Sequence, residues 1–585
     1  METKKILLIG IFLVVLILPV FTSAAVYYVD ASNGNDNNNG LSPETAWKTI
    51  TRVNNEWGYQ AGDDILFKRG ETWTDSGLDI HHSGTTENPV IIGAYGAGPK
   101  PVIDGSRDFG GSAMSSIYSA SYITIQDFRI TNMVHGNYDG ISFCCEPRSH
   151  ITISRVDINN TNNCGIYLDQ TDTYIIENCT VGYIGNAGIV IYGSAQNKTK
   201  NGIIRNCVSH DIASNDAFSL HKNGYGDDLG LNHLLENCVG YNSAEEAFDI
   251  GSGGNITLLN CESYGNDNGA ISIGNNISNV VIERFYSHDE NDDSIIVGPS
   301  SNVKLINSLI YNPAVSPLTL RDSTAFEGYH NTIIANSGSI DIGDNCHDIT
   351  FKNNIVIHLS GEGRFMRYLF DSPTTTNSDF SHNIWWGPGI DSTTREWYDA
   401  EANKLFGFDY WVSHYNQGQG SMVTDPLLID AQNGDGQLQA NSPAIDAGTN
   451  VGVIQDFNTN PRPRGAGYDI GAYEYDNGTS PPPPACTEND WNYADGACQP
   501  NNTLTRTWTK IGACTGGTTH PPKETVPCTY NIPGDLNNDG MVDITDIIIV
   551  ATNFGLTSGF DNRADTDNNN EVDIFDVVFV ASRFT

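Results

Sequence analysis

Short runs of alternating apolar and polar residues recur through the middle of the chain, each closed by Asn, Asp or Gly. One run ends in a nearly constant phrase: IIENC at Cys179, IIRNC at Cys207, LLENC at Cys238 and LLNC at Cys261. The same slot holds ISRV at Val156, IERF at Phe285, LINS at Ser308 and FKNN at Asn354. A second run follows about ten residues on: GIYL at 165–168, GIVI at 188–191, AFSL at 217–220, AFDI at 247–250, AISI at 270–273 and SIIV at 294–297. Period-two alternation places one set of side chains inside and the other outside. A repeat of this length, made of β-strands and Asn/Gly turns, predicts stacked solenoid coils with two strands each. The short alternating strands exclude helical repeats. A β-sandwich would not return the same residue to the same slot coil after coil.

The repeat also fixes how its polar residues are read. Cys179, Cys207, Cys238 and Cys261 form a column of small buried side chains, with disulfides between them as the alternative. Asn178, Asn206, Asn237, Asn260, Asn307 and Asn353 form a second column, expected to hydrogen-bond along the stack and not to act chemically.

Residues 1–24 combine Lys4 and Lys5, an apolar run from Ile6 to Phe21, and the small residues Ser23 and Ala24. This is the layout of a secretory signal, so the mature chain is expected outside the cell, with no span after cleavage. The chain carries 70 acidic against 30 basic residues, a net charge of -40. Such a surface repels nucleic acid and anionic membranes. A polyanionic substrate would need bridging cations.

The opening YYVDASNGNDNNNGLSPETAWKTI at 27–50 resembles the cap of extracellular right-handed parallel β-helix proteins. SPAIDAG at 442–448 and PRPRGAGYDIGAYEY at 461–475 resemble their closing segment. The resulting fold class is all-β, a single-stranded right-handed parallel β-helix solenoid over 25–475. A Pro-rich linker follows at 476–485. The segment 486–530 holds Cys486, Cys498, Cys514 and Cys528, enough for two disulfides in three possible pairings. Its Trp491 and Trp508 are read as packing residues, with sugar stacking as the alternative.

The last segment, 531–585, places oxygen donors at Asp535, Asn537, Asp539, Asp543 and Asp546, with the Met541 carbonyl between them and Gly540 at the sharp turn. The pattern returns at Asp565, Asp567, Asn569, Glu571, Asp573 and Asp576. This is calcium-loop spacing, closed by Asp instead of Glu. Each loop leads into a short apolar helix, and the two helices are expected to bury their faces on each other. The pair resembles the type I dockerin module, which implies two bound Ca2+ and a cohesin-like protein partner. The family often has Ser or Thr at the two positions before the closing ligand. Here Ile544 with Thr545 and Ile574 with Phe575 stand instead. A self-capping calcium module is the alternative.

Acidic residues also gather on consecutive coils: Asp216, then Glu245, Glu246 and Asp249, then Asp267, then Asp292 and Asp293. Coils stack ~4.8 Å apart, so these carboxylates are expected along one edge, close enough to share a hard cation. Asp249 stands out, because Tyr167, Val190, Ser219 and Ser272 fill its slot in other coils. EEAFD at 245–249 resembles the DDGFD of family 9 pectate lyases, which implies calcium at Glu245, Glu246 and Asp249, with Asp216 from the coil before. Such a lyase removes the C5 proton of a uronate next to calcium. The family uses a lysine in a phrase of the form GFKLG; here GAISIG puts Ser272 there. His221 and Lys222 are the nearby stand-ins, and carboxylates around a lysine hold its proton more firmly. The expected function is therefore a calcium-dependent lyase on uronate-containing, acidic polysaccharide. A non-catalytic glycan-binding or adhesive surface solenoid is the first alternative and a glycoside hydrolase the second. A groove lined by Trp385, Trp386, Trp397 and Trp411 would favour sugar binding in all three readings.

Overall fold

The structure is a computed structural model. It describes residues 24–476 apart from 117, 195, 223–228, 344, 361–363, 369–376 and 400–402. Beyond these it describes 487, 491–495, 503–510, 518, 520, 523–527, 535–537, 541–542, 544–556, 561, 563–564, 566, 572 and 574–581. The signal-like residues 1–23 lie outside that set. Among the described residues no helix is long and apolar enough to cross a membrane.

Residues 24–480 form one compact unit. It is a right-handed parallel β-helix whose coils contribute one strand to each of three sheets, and each sheet has fourteen strands. A representative coil runs through Thr171–Glu177, Thr180–Ile184 and Ile189–Gly193. The next runs through Lys200–Arg205, Val208–Ile212 and Phe218–Lys222. Two strands per repeat is thus corrected to three. The strand missed in the sequence follows the constant phrase after only two residues, as in Asn178-Cys179, so the two strands read as one continuous run.

That two-residue corner explains the Asn column. Asn178, Asn206, Asn237 and Asn260 have φ of 55°, 52°, 53° and 55°, a left-handed conformation that Asn tolerates better than most residues. Their amides form the expected ladder: Asn206 donates to Asn178 at 3.3 Å, Asn237 to Asn206 at 3.0 Å, and Asn260 to Asn237 at 2.6 Å. Asn307 and Asn353 depart from it. They donate to the carbonyls of Gln455 and Thr449, both at 2.7 Å, and so hold the closing segment against the last coils. Cys179, Cys207, Cys238 and Cys261 are buried free thiols. The one disulfide among the described residues joins Cys144 to Cys145. Cys486, Cys498, Cys514 and Cys528 lie outside the described residues.

Inside the solenoid, identical slots stack. Ile176, Ile204, Leu235, Leu258, Ile282 and Leu305 follow one another in register and are fully buried. Burial of such aliphatic columns, at roughly 25 cal/mol per Å2 of apolar surface, is what holds coils together. The start of the stack is capped by Trp47, which is buried and donates its indole N–H to the Asn38 carbonyl at 2.9 Å.

The far end is filled by aromatic rings. Trp385, Trp397 and Trp411 are fully buried and pack on one another at 5.8–6.0 Å. Trp386 is half-buried against the closing segment's core. Trp385, Trp397 and Trp411 therefore form a plug and line no open groove: an open solenoid end exposes the inner faces of its last coil, and large rings cover them.

The residues from 481 onward fall in a second unit. Trp491–Asp495, Thr503–Lys510 and Lys523–Pro527 form an antiparallel sheet. Trp508 stacks on His520 at 3.6 Å and donates to Glu524 at 2.9 Å, while Trp491 donates to the Thr518 carbonyl at 3.1 Å. These contacts agree with packing roles. Helices Ile544–Asn553 and Ile574–Ala581 share a small core of Val542, Val550, Ala564, Val572 and Val580.

Candidate functional site

The site is built on the third sheet, from the coils that contain Phe218–Lys222 and Phe248–Ile250. Register places Ser219, Asp249, Ser272, Ile296, Thr319, Asp341 and Arg367 in one column across successive coils. Phe248 and Ile250 on either side are buried in the core, so alternation turns Asp249 outward. Ser272 follows Asp249 in register on the next coil.

Beside this column, the turns that lead into the third sheet bring carboxylates together. Asp216, Glu245 and Glu246 each offer an oxygen within 4.8 Å of the others. Asp216 is buried, and its Oδ1 accepts the Glu246 backbone N–H at 3.3 Å. Its carboxyl is pushed up to about 9, by burial first and then by Asp249, Glu246 and Glu245. Asp249 is pushed up to about 7, again by burial first and then by Glu246 and Glu245. Glu246 is also raised, chiefly by burial. Negative charge confined away from water is held in check by retained protons.

His221 joins the cluster from the preceding coil. Its Nε2 lies 3.5 Å from Asp249 Oδ2, and its Nδ1 lies 3.1 Å from the Lys222 carbonyl. A carbonyl can only accept, so Nδ1 carries hydrogen and Nε2 faces the carboxyl. Gly251 makes the approach possible, since a Cβ there would overlap the His221 ring. Sequence reasoning missed Gly251, although the single signal was present: glycine two residues after the exceptional Asp249.

Not every expected residue converges. Asp267 is exposed and accepts from Asn291 at 3.0 Å, as a turn-ladder residue. Asp293 is buried and taken up by the Ser316 N–H and the Thr319 hydroxyl, both at 2.8 Å. Asp292 does reach the cluster's edge. With Glu246 it lines an open cleft of about 440 Å3 that continues to Arg321 and Arg367. Lys222 is half-buried and has no ion pair among the described residues.

In the C-terminal unit, Asp546 is buried and its Oδ1 accepts the N–H groups of Leu536 and Asn537 at 2.7 and 3.0 Å. Asp576 is likewise buried and accepts from the Thr566 N–H at 2.6 Å and its hydroxyl at 2.8 Å. Asp535, Asn537 and Met541 are described, and Met541 is exposed. Asp539, Asp543, Asp565, Asp567, Asn569, Glu571 and Asp573 lie outside the described residues.

The chain matches the family model for a right handed beta helix region over residues 103–226 and 229–380. It is similar to a lacto-N-biosidase of Bifidobacterium longum subsp. longum, 25% identical over 319 residues. That match takes in 51% of this chain and 19% of the relative, so the chain spans about a fifth of that protein's length. Among solved structures it is similar to the GH136 lacto-N-biosidase from Eubacterium ramulus, at 16% identity and TM-score 0.38 over 68% of each chain. It is similar to pectate lyase Pel9A at 14% identity and TM-score 0.35, covering 78% of this chain and 97% of that one. The A-module of the Azotobacter vinelandii mannuronan C-5 epimerase AlgE6 stands at 14% identity and TM-score 0.41, covering 62% and 91%. These structural likenesses concern the fold alone.

Proposed function

We propose that this chain is an exported glycan-active enzyme whose carboxylate cluster hydrolyses a glycosidic bond. The observation that carries this reading is the convergence of Asp216, Glu245 and Glu246 within 4.8 Å, next to an Asp249 that faces His221. Glycoside hydrolysis needs one carboxyl that keeps its proton and one that has lost it. Asp249, held up to about 7 by burial and its acidic neighbours, donates its proton to the leaving oxygen. Glu245 or Glu246 takes the opposite role, as nucleophile or as base for water. His221 orients the Asp249 carboxyl, and Asp216 keeps its own proton, which limits the charge of the cluster. The likeness to a relative named as a biosidase supports the same reading. Release of reducing ends from neutral and acidic oligosaccharides, abolished in Asp249→Asn, tests it; equal release by the variant would refute it.

A second reading keeps the lyase chemistry. Three carboxylates with oxygens this close fit a hard divalent cation, and Asp216, Glu245, Glu246 and Asp249 would hold calcium there. Bound calcium would neutralise the acid group of a uronate. His221 would then take up the C5 proton, with Lys222 in contact with the sugar acid. The hydroxyl of Ser272 in the lysine's place weighs against it.

For the C-terminal unit the proposal is a dockerin-like calcium module that docks a cohesin-like protein. The paired helices and the buried Asp546 and Asp576 support it. Calcium titration of the whole chain, read as a rise in melting temperature that is lost in Asp546→Ala with Asp576→Ala, checks the metal sites.

A further inference from the structure

At the N-terminal end of the third sheet, Trp57 is 68% exposed and Tyr118 is 50% exposed. Contiguous exposed apolar surface rimmed by polar groups marks a ligand or interaction site. Trp57 is not loosely held. One face of its indole lies on the His81 ring at 4.1 Å, and Tyr118 stands edge-on to it at 6.5 Å and 78°. His81 is itself fixed, with Nδ1 3.2 Å from the Asp79 carbonyl and Nε2 3.1 Å from the Glu56 carbonyl. The rings border a cavity of about 110 Å3 that is also lined by Asn54, Asp79 and Ser115.

We infer that Trp57, Tyr118, Asp79 and Ser115 form a second carbohydrate site, which takes a neutral pyranose unit of a polysaccharide chain, with Asn54 holding Asp79 in place by accepting its backbone N–H at 3.0 Å. The indole face turned away from His81 matches the apolar C–H face of a sugar ring, and the Asp79 carboxylate and Ser115 hydroxyl beside it match its hydroxyls. Asp79, in a chain of net charge -40, disfavours an anionic sugar. Asp79 and Ser115 belong to the outward column that leads, in register, through Ser142, Tyr167, Val190 and Ser219 to Asp249. Six coil steps at ~4.8 Å separate the two sites by roughly 29 Å. Both therefore belong to the outer face of one sheet, with Val190 and Ser219 covered between them. The inference stands on the aromatic site alone, whichever bond the carboxylate cluster breaks.

The test is native affinity electrophoresis of the mature full-length protein through gels containing mixed-linkage β-glucan, galactan or xylan. Wild type should be retarded by at least one of these polymers. Trp57→Ala should lose about ten-fold in affinity, whereas Trp57→Phe should keep most of it. Circular dichroism melts of the variants should coincide with wild type, because Trp57 lies outside the core. Retardation of Trp57→Ala equal to wild type, or of no protein on any of the three polymers, would overturn the inference. Concentration-dependent dimerisation that vanishes in Trp57→Ala, without polymer retardation, would assign the patch to self-association and overturn it as well.

Discussion

His221 and Asp249 face each other across neighbouring coils, Nε2 to Oδ2 at 3.5 Å, over the bare backbone of Gly251. Glycine is not needed there for a left-handed turn, since Gly251 is absent from the positive-φ residues. It is needed because any side chain would take the space of the imidazole.

Gly251→Ala should therefore push His221 off Asp249 while the coil persists. The expected result is a fall in kcat/KM of about 10- to 100-fold, since misplacement by about an ångström has that effect. The melting temperature should move by only a few degrees. Unchanged kinetics would show that the His221–Asp249 contact has no part in the reaction.

The carboxyl cluster makes stability depend on pH in a defined direction. Asp216 and Asp249 are raised in the folded state, to about 9 and about 7, above the ordinary value of about 3.9. Between the unfolded and folded values the folded chain binds more protons, so stability is greatest at low pH within this window and falls as pH rises from ~4 to ~9. Thermal melts in EDTA should show this decline, and Asp216→Asn should flatten it. Calcium should offset the decline at alkaline pH if the cluster holds a cation. A melting temperature independent of pH in EDTA would contradict the buried charges.

The Asn ladder separates backbone conformation from hydrogen bonding. Asn206 has φ 52° and links Asn178 to Asn237. Asn206→Ala should destabilise by about 1–3 kcal/mol, through both the strained turn and the lost bonds. Asn206→Gly relieves the turn and should restore part of that loss in denaturant unfolding. Equal effects of Ala and Gly would mean that the turn is unstrained.

Much of this architecture is legible in the sequence because the solenoid repeats its own evidence. Cys179, Cys207, Cys238 and Cys261 mark a buried slot four times over, and Asp249 is visible as an exception to its column. The corner at Asn178-Cys179 is hidden because two residues are too few to interrupt an alternating pattern, so the second-sheet strand merges with the first. Convergence of Asp216 with Glu245 and Glu246 is legible from spacing. The diversion of Asp293 to Ser316 and Thr319 is not, because it depends on contacts with the following coil. Trp385, Trp397 and Trp411 lie where the repeat lapses, and composition alone does not separate an aromatic groove from an aromatic plug.

Trp411 distinguishes those two roles experimentally. Its ring is fully buried among Trp385, Trp397 and Phe408. Trp411→Ala should destabilise the β-helix by about 3–5 kcal/mol. Activity per folded molecule at low temperature should stay at the wild-type level. A loss of glycan affinity without a loss of stability would return the ring to a binding role.

The most direct test of the carboxylate reading is the mass of the products formed from a defined oligosaccharide by the wild-type protein, with Asp249→Asn as control. Hydrolysis adds one water for each bond broken, so the product masses should sum to substrate plus water, with no unsaturated ultraviolet absorbance, in the presence or absence of EDTA. Products whose masses sum to the substrate alone, with absorbance of an unsaturated sugar that EDTA abolishes, would contradict hydrolysis and establish elimination at a calcium-bearing cluster.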